Sequence, residues 1–289
     1  MKAILTYHSI DDSGSAVSVA PDAFRRHVRW LASGRVRVVT VPELLRLPHD
    51  ADAVAITFDD GLASFGDVAA PLLAEHGLPA TVFVVSDRAG ATSAWQDAAA
   101  VRRGPRVPAF PLLDWPALRR LAEGGLVELG AHTRTHRDLT RLRGAMLADE
   151  IEGCAARITA ETGHRPAAFA YPYGEVNAAA LAEEVEGCAA RIAAETGRRP
   201  AGFAYPYGAV DAEALALVER SYEWACTTEL RPLAAADRPH LLPRLDAYYL
   251  QAQGALEAWG TGAFRRRLWL RARARRVRRT LAAALPGAA

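Results

Sequence analysis

The sequence of 289 residues is 51% hydrophobic and carries 35 basic against 33 acidic side chains, a formal charge of +2. It is long enough for one large α/β domain or two modest ones, and no apolar run approaches membrane-spanning length. Its three cysteines lack CxxC spacing and are interpreted as buried thiols: Cys154, Cys188 and Cys226. The N-terminus reaches polar residues within a few positions, unlike a secretory signal, which predicts a cytoplasmic protein.

Short apolar runs alternate with helical patterns along the first half of the chain. The predicted strands are 2–8, 36–41, 53–58, 79–85 and 126–132. The predicted helices are 21–34, 41–47, 65–77 and 114–125. This alternation, with nearly continuous apolar strands, predicts a parallel sheet covered by helices, either a barrel or a doubly wound sheet. In both architectures the ligand site lies at the carboxyl ends of the strands.

An internal repeat follows these elements. Residues 150–183 align with residues 184–217, and 26 of the 34 positions are identical. Each copy has the pattern of a helix, a turn, a short strand and a Pro-Tyr-Gly loop. Because each copy is a complete helix-then-strand unit, a tandem duplication can add a strand without reversing any later one. The alternative is that one copy is looped out.

Two polar motifs follow apolar strands. Asp59 and Asp60 end the stretch "AVAITFDDG", and His132 and His136 lie in "ELGAHTRTH". On a continuous strand the two histidines would be about 13 Å apart, so the chain must turn through Thr133 and Arg134 for them to share an ion. Either motif alone is commonly a turn or a pair of unrelated histidines. Together they predict a metal site whose open coordination positions are typical of catalysis.

With a third motif these segments resemble a known family. "TFDDG" at 57–61, "HTRTH" at 132–136 and "AYPYG" at 170–174 or 204–208 are similar to the polysaccharide deacetylases, the NodB-homology or family 4 carbohydrate esterase group. The resemblance extends over roughly residues 1–250 in motif order and spacing. It implies a distorted (β/α) barrel of about seven strands, here open to expansion by the duplicated unit. It also implies metal-dependent removal of an acetyl group from a sugar.

The resemblance assigns roles to individual residues. Asp60, His132 and His136 would ligate a divalent ion, and Asp59 would be the general base. The preferred ion is zinc, although cobalt, manganese, iron or nickel would suit two histidines and a carboxylate nearly equally. Iron oxygenases use the same ligand set, but the adjacent second aspartate favours hydrolysis.

The third motif would supply the oxyanion donor and part of the sugar site. The donor is the backbone N–H of Tyr173 in the first copy or Tyr207 in the second, and the first copy is preferred because it follows the histidine motif directly. Pro172, Gly174 and Tyr207 are further candidates for substrate contact. Trp115 is the preferred aromatic floor for a sugar, with Trp95 and Trp224 as others; a core role is the alternative for all three.

The sequence departs from the family pattern in two places, so the general acid and the arginine that orients Asp59 must be sought elsewhere in the chain. No late Leu-x-His motif is present, so His8 at the end of the first strand is predicted as the general acid; a structural histidine is the alternative. The arginine that usually opens the third motif is replaced by alanine at Ala170 and Ala204. Arg244, or less favourably Arg134, would then orient Asp59.

The C-terminal part differs in charge from the body. Residues 264–279 hold nine arginines and no acid, which leaves 26 basic against 33 acidic residues elsewhere. We therefore divide the chain into a deacetylase-like domain, 1–255, and a basic helix or tail, 256–289. The basic segment could rest on the anionic inner surface of a membrane or be a solvated terminus. Nucleic-acid binding has no support in the rest of the sequence.

The sequence thus predicts a metal-dependent hydrolase that removes an N-acetyl group from an amino sugar. Its substrate would be a polysaccharide, or a lipid-linked or nucleotide-linked glycan precursor. One alternative is a related amidohydrolase that acts on a non-sugar amide. The other is a catalytically impaired relative that binds glycans, which the two departures from the family pattern favour.

Overall fold

The computed structural model describes residues 1–94, 108–137, 142, 145–146, 149–166, 168–170, 202–204, 224–227 and 229–284. Its strands are β1 Lys2–Tyr7, β2 Ser9–Ile10, β3 Ser18–Val19, β4 Arg37–Val38, β5 Ala53–Phe58, β6 Ala80–Val84, β7 Val127–Ala131, β8 Ala168–Ala170, β9 Gly202–Ala204, β10 Trp224–Cys226 and β11 Arg244–Asp246. Its α-helices are α1 Pro21–Leu31, α2 Val41–Arg46, α3 Ala70–Glu75, α4 Trp115–Glu123, α5 Cys154–Thr162 and α6 Gly262–Ala284.

The main sheet is parallel, as the sequence predicts. Its strands follow the order β10-β9-β8-β7-β6-β5-β1-β11, and β4 pairs with β5. All residues of β1, β5 and β6 are buried, which explains why these strands are mostly apolar rather than alternating. Two hydrogen bonds link β10 to Leu242, two residues before β11: Leu242 N donates to Ala225 O (2.8 Å) and Thr227 N donates to Leu242 O (2.6 Å). The predicted α/β fold with a mainly parallel sheet is confirmed.

The duplicated unit contributes two neighbouring strands. β8 and β9 come from equivalent positions of the two copies and pair in parallel, with Ala168 opposite Gly202 and Ala170 opposite Ala204. The sequence leaves two alternatives, an added strand or a looped-out copy, and the structure shows the added strand. Counting β4, the described residues give the main sheet nine strands, against the about seven that the resemblance implies. Residues 171–201, which join β8 to β9, lie outside the described residues.

An aromatic cluster supports the carboxyl ends of β1 and β5. The Tyr7 and Phe58 rings stack with centroids 5.0 Å apart, and Phe24 and Phe65 pack edge-on against them. All four side chains are at most 1% exposed. Because Tyr7 directly precedes His8 and Phe58 directly precedes Asp59, this packing fixes the backbone from which both side chains extend.

The side chain of His27 on α1 forms hydrogen bonds both to Tyr7 and to the segment that follows β11. Its Nε2–H donates to Leu250 O (3.0 Å), so Nδ1 accepts from the Tyr7 hydroxyl (3.1 Å). Burial lowers the pKa of His27 to about 4. The native state thus keeps His27 neutral at pH values where an unfolded histidine, with a pKa of about 6.5, is already protonated.

We therefore expect His27 to make the protein less stable as the pH falls through the window between these two pKa values. Between about pH 7 and about pH 5 its contribution to the free energy of unfolding should fall by about 2 kcal/mol. His27→Gln should remove that part of the pH dependence in urea unfolding experiments, whereas His76→Gln, at an exposed histidine, should not. An unchanged slope in His27→Gln would contradict the assignment.

Two of the three cysteines are buried, as predicted. Cys154 and Cys226 are free thiols, and burial raises their pKa to about 11 and about 12. Cys188 lies outside the described residues. Such thiols are poor nucleophiles, so neither is a candidate for covalent catalysis.

The basic segment forms α6, and its first turns pack on the body. Phe264 and Leu268 are each 2% exposed and belong to the main hydrophobic core. Among the described helices, none has the length and apolar character needed to cross a bilayer. The boundary predicted at residue 255 stays a prediction.

Candidate metal centre

The two aspartates that follow β5 point toward different partners because the chain turns sharply between them. Asp59 N donates to Tyr7 O (3.0 Å), which continues the strand ladder. Asp60 and Gly61 then adopt left-handed backbone conformations, with φ of 74° and 69°. A non-glycine residue in this region costs of the order of 1 kcal/mol or more, and such strain concentrates at functional sites. Adjacent carboxylates can thus serve separate tasks.

The turn predicted between the two histidines is present. β7 ends at Ala131, and Thr133 and His136 are also left-handed, with φ of 68° and 62°. His136 N donates to Thr133 Oγ1 (3.0 Å), which closes the turn. The ring centroids of His132 and His136 consequently lie 5.0 Å apart, far closer than an extended strand allows.

Acidic residues before α5 and beside β6 hold this turn in place. The buried Glu150 carboxylate accepts from Thr135 N (2.8 Å) and from the Thr135 hydroxyl. Arg134 donates to Asp87 (2.8 Å) and to Asp149 (2.5 Å). Arg134 is thus engaged on the far side of the turn, and the alternative that it orients Asp59 is wrong.

Three ligand atoms converge at the ends of β5 and β7. Asp60 Oδ1 lies 3.3 Å from Nε2 of His132 and 3.3 Å from Nε2 of His136. The ligand atoms of Asp60, His132 and His136 all lie within 4.8 Å of one another. Among the described residues, these three side chains form the group that could hold a metal ion. His132 Nδ1–H donates to Ala170 O (2.6 Å), so Nε2 is the ring atom that would bind a cation. The donor set fits a divalent cation.

The protonation of these side chains also suits a cation. Burial raises the pKa of Asp60, but hydrogen bonds from His132 and His136 outweigh it and hold that pKa well below its usual range. Burial lowers the pKa of His136 to about 4. Burial also lowers the pKa of His132, but the Asp60 carboxylate raises it above the ordinary value overall. At low pH a cation must therefore displace a proton from His132, so metal binding weakens as the pH falls.

Asp59 faces a second set of charged groups. Arg244 Nη1 lies 3.3 Å from both Asp59 carboxylate oxygens, and its Nε donates to Thr227 O (3.4 Å). His8 Nε2 lies 3.7 Å from Asp59 Oδ2, with the His8 side chain 28% exposed. Burial lowers the pKa of Arg244, whereas Asp59 raises it above the usual value overall. A guanidinium therefore contacts this carboxylate although both copies of the third motif lack the family arginine.

Asp246 is a charged neighbour that the sequence analysis missed. It lies two residues after Arg244 on β11, and the register places it opposite Thr6, two residues before His8. Burial raises the pKa of Asp246, and the positive charges of His8 and Arg275 act against that rise. The signal was available in "PRLD", because residues two apart on a strand share one face.

The third-motif candidates lie mostly outside the described residues. Tyr173, Pro172, Gly174 and Tyr207 all do, so their roles stay predictions. The carbonyl of Ala170, directly before the first copy of this loop, accepts from His132, and β8 pairs with β7. This favours the first copy beside the candidate metal centre.

The aromatic candidates occupy different surroundings. Trp115 begins α4, where it packs against the main core and the Arg157 guanidinium lies 5.7 Å from its ring centroid. Trp224 is 3% exposed in β10, which fits the core alternative. Trp95 lies outside the described residues. Sugar contact by Trp115 stays a prediction.

Comparison with known proteins agrees with the motifs. Residues 46–185 match the family model of the polysaccharide deacetylases. These residues therefore belong to the polysaccharide deacetylase family. They include β5 to β7 and so all three candidate metal ligands. The recognition made from the three motifs is confirmed.

Curated relatives match over part of their length. The chain is 24% identical over 172 residues to the poly-β-1,6-N-acetyl-D-glucosamine N-deacetylase of Staphylococcus epidermidis, which covers 55% of this chain and 55% of that protein. It is 36% identical over 92 residues to YxkH of Bacillus subtilis, and this match covers 30% of this chain and 33% of that protein. The chain thus spans about a third to a half of these relatives.

Solved structures share the fold over most of the chain. IcaB from Ammonifex degensii is 18% identical, with a TM-score of 0.58 over 86% of this chain and 93% of that one. The Streptococcus pyogenes deacetylase PplD, solved with acetate, is 19% identical, with a TM-score of 0.57 over 84% of this chain and 91% of that one. At this identity the similarity shows a shared fold.

Proposed function

We propose that this polysaccharide deacetylase domain is a metal-dependent hydrolase that removes N-acetyl groups from an amino-sugar glycan. The observation that carries the proposal is the division of labour between adjacent aspartates. Asp60 converges with His132 and His136, while Asp59 faces Arg244 and His8. A metal-dependent hydrolase of the proposed kind needs both a cation site and a separate carboxylate that accepts a proton, and the turn at Asp60 separates the two.

A divalent cation in this site would polarise the acetyl carbonyl and lower the pKa of water. Zinc is our preferred ion, since two histidines and one carboxylate are a donor set typical of catalytic zinc. Asp59 accepts a proton from the attacking water, and Arg244 holds both carboxylate oxygens so that the base keeps one orientation. The backbone N–H of Tyr173 is our proposed donor to the oxyanion.

His8 is our proposed general acid. The leaving amine must gain a proton when the C–N bond breaks, and His8 is the partly exposed histidine on the Asp59 side of the site. Asp246, opposite Thr6 in the β1–β11 register, lies near enough for its charge to interact with that of His8. His8 and Asp59 then flank the reacting amide from one side, opposite the metal ligands.

The substrate we propose first is an oligomer of β-1,6-linked N-acetylglucosamine, as in the name of the Staphylococcus epidermidis relative. Lipid-linked or nucleotide-linked acetylated sugars remain within the proposal because they present the same acetamido group. The contact between Arg244 and Asp59 supplies a guanidinium to the base. It therefore supplies a substitute for the family arginine, whose loss is one of the two departures that favour a catalytically impaired relative.

Acetate release tests this function directly. The purified chain, loaded with zinc, cobalt or manganese, should release acetate from β-1,6-linked N-acetylglucosamine oligomers, and a chelator should abolish the release. Small cyclic amides serve as the comparison substrates for a non-sugar amidohydrolase. Hydrolysis of the cyclic amides alone would contradict the proposal, and so would glycan binding without acetate release under every metal.

A further inference from the structure

The helix α6 has a defined inner side. Phe264 and Leu268 are buried against the body, and the guanidinium groups of Arg271 and Arg275 lie 5.1 Å and 5.7 Å from the Tyr249 ring centroid. Two apolar anchors and two cation–π contacts therefore fix how the helix is rotated on the body. The opposite side must face outward.

The outward side combines exposed apolar residues with arginines. Trp269, Leu270 and Val277 are 57%, 54% and 51% exposed, and they are three of the four exposed large hydrophobic residues among those the structure describes. Arg266 and Arg273 are also exposed. At about 100° per residue these five side chains fall within an arc of about 100°, which we call the outer face. The Arg273 guanidinium lies 5.5 Å from the Trp269 ring centroid.

We propose that the outer face docks on an anionic phospholipid bilayer. Residues 264–279 carry nine arginines and no acid, so the segment complements a surface of negative headgroups. Exposed Trp269, Leu270 and Val277 gain free energy by leaving water for the headgroup and acyl boundary. An indole beside arginine is typical of side chains at that boundary.

Charge elsewhere favours a bilayer over a nucleic acid. Outside residues 264–279 the chain has 26 basic against 33 acidic residues. A long polyanion lying along the protein would be repelled by that acidic body, whereas a flat bilayer needs to touch the outer face alone. Aliphatic side chains such as Leu270 and Val277 also gain little from phosphate contacts.

Docking in this way would bring the candidate metal centre near the lipid surface. Tyr249, which the inner side of α6 contacts, belongs to the short 3₁₀ helix Ala247–Leu250 directly after β11. That helix follows the carboxyl end of β11, the end at which His8 and Asp59 also lie. A glycan carried at a membrane surface would thus meet the site. This consequence rests on the proposed function, whereas lipid binding itself does not.

Vesicle binding by the full chain tests the proposal. We expect binding to vesicles that contain phosphatidylglycerol and little binding to pure phosphatidylcholine, measured by co-sedimentation. Arg266→Glu with Arg273→Glu should weaken binding roughly 30-fold or more, since each arginine near such a surface contributes about 1 kcal/mol. Trp269→Ala with Leu270→Ala should weaken it roughly tenfold or more. Arg46→Glu with Arg120→Glu, at exposed arginines of α2 and α4, is the control of equal charge.

Three outcomes would overturn the proposal. They are equal binding to both lipid compositions, equal losses in the control pair, and no effect of the Trp269 and Leu270 pair. Binding of duplex DNA without vesicle binding would show that the arginines serve nucleic acid instead. Acetate release in free solution is measured separately, so a chain that binds vesicles but is inactive would contradict the proposed function and support this surface.

Discussion

Asp60→Asn is expected to weaken binding of the catalytic cation by more than about 100-fold and to reduce kcat/KM by about 1,000-fold or more. Asp60 Oδ1 is the one anionic ligand atom between the two imidazoles. Asparagine retains the shape of the side chain and tolerates the left-handed backbone that Asp60 adopts, so the change removes charge with little added strain. Metal content after dialysis and acetate release are the two measurements.

The control for this change lies seven residues further along the chain. Asp67→Asn removes one negative charge at an exposed position of the π-helix Phe65–Ala69 and should leave metal content and kcat/KM within about twofold, as most exposed substitutions do. Asp60→Asn with full metal content and normal activity would refute the ligand assignment. Loss of activity with the metal retained would instead mean that Asp60 acts in the chemical step and is not needed to bind the metal.

The ligands were predictable because their motifs follow apolar strands. β5 and β7 flank β6 in a parallel sheet, so residues just beyond their carboxyl ends lie at the same edge. The need for a turn between His132 and His136 followed from strand geometry alone. What holds the turn did not, since Glu150 follows it by 14 positions and contacts it through α5 packing. Nothing in the local sequence indicates that contact.

The duplication shows a different limit of sequence interpretation. An α-then-β repeat is compatible both with an inserted strand and with a looped-out copy, because the local preferences of the two copies are nearly identical. The choice depends on whether β9 finds partners, and it pairs with β8 on one side and β10 on the other. Asp246 was missed for a related reason. Its position became informative only when the β1–β11 register brought it to the His8 side of the site.

Asp59→Asn is expected to reduce kcat by about 100-fold to 10,000-fold while metal content stays unchanged, because a general base is lost and the ligands are not. Asparagine can still accept a hydrogen bond from Arg244, so the surrounding contacts should persist. KM should change little, since Asp59 acts on the attacking water and not on the bound sugar. Loss of the metal in Asp59→Asn would contradict the division of labour between the two aspartates.

Arg244 extends this test, because its effect should depend on Asp59. Arg244→Met keeps much of the side-chain volume but frees the carboxylate from its 3.3 Å contacts, and a base misplaced by about 1 Å can lower the rate by about 100-fold. If Arg244 works only by orienting Asp59, adding Arg244→Met to Asp59→Asn should cost little more than Asp59→Asn alone. Additive losses would mean that Arg244 acts on the substrate directly, and the guanidinium would then belong to the sugar site.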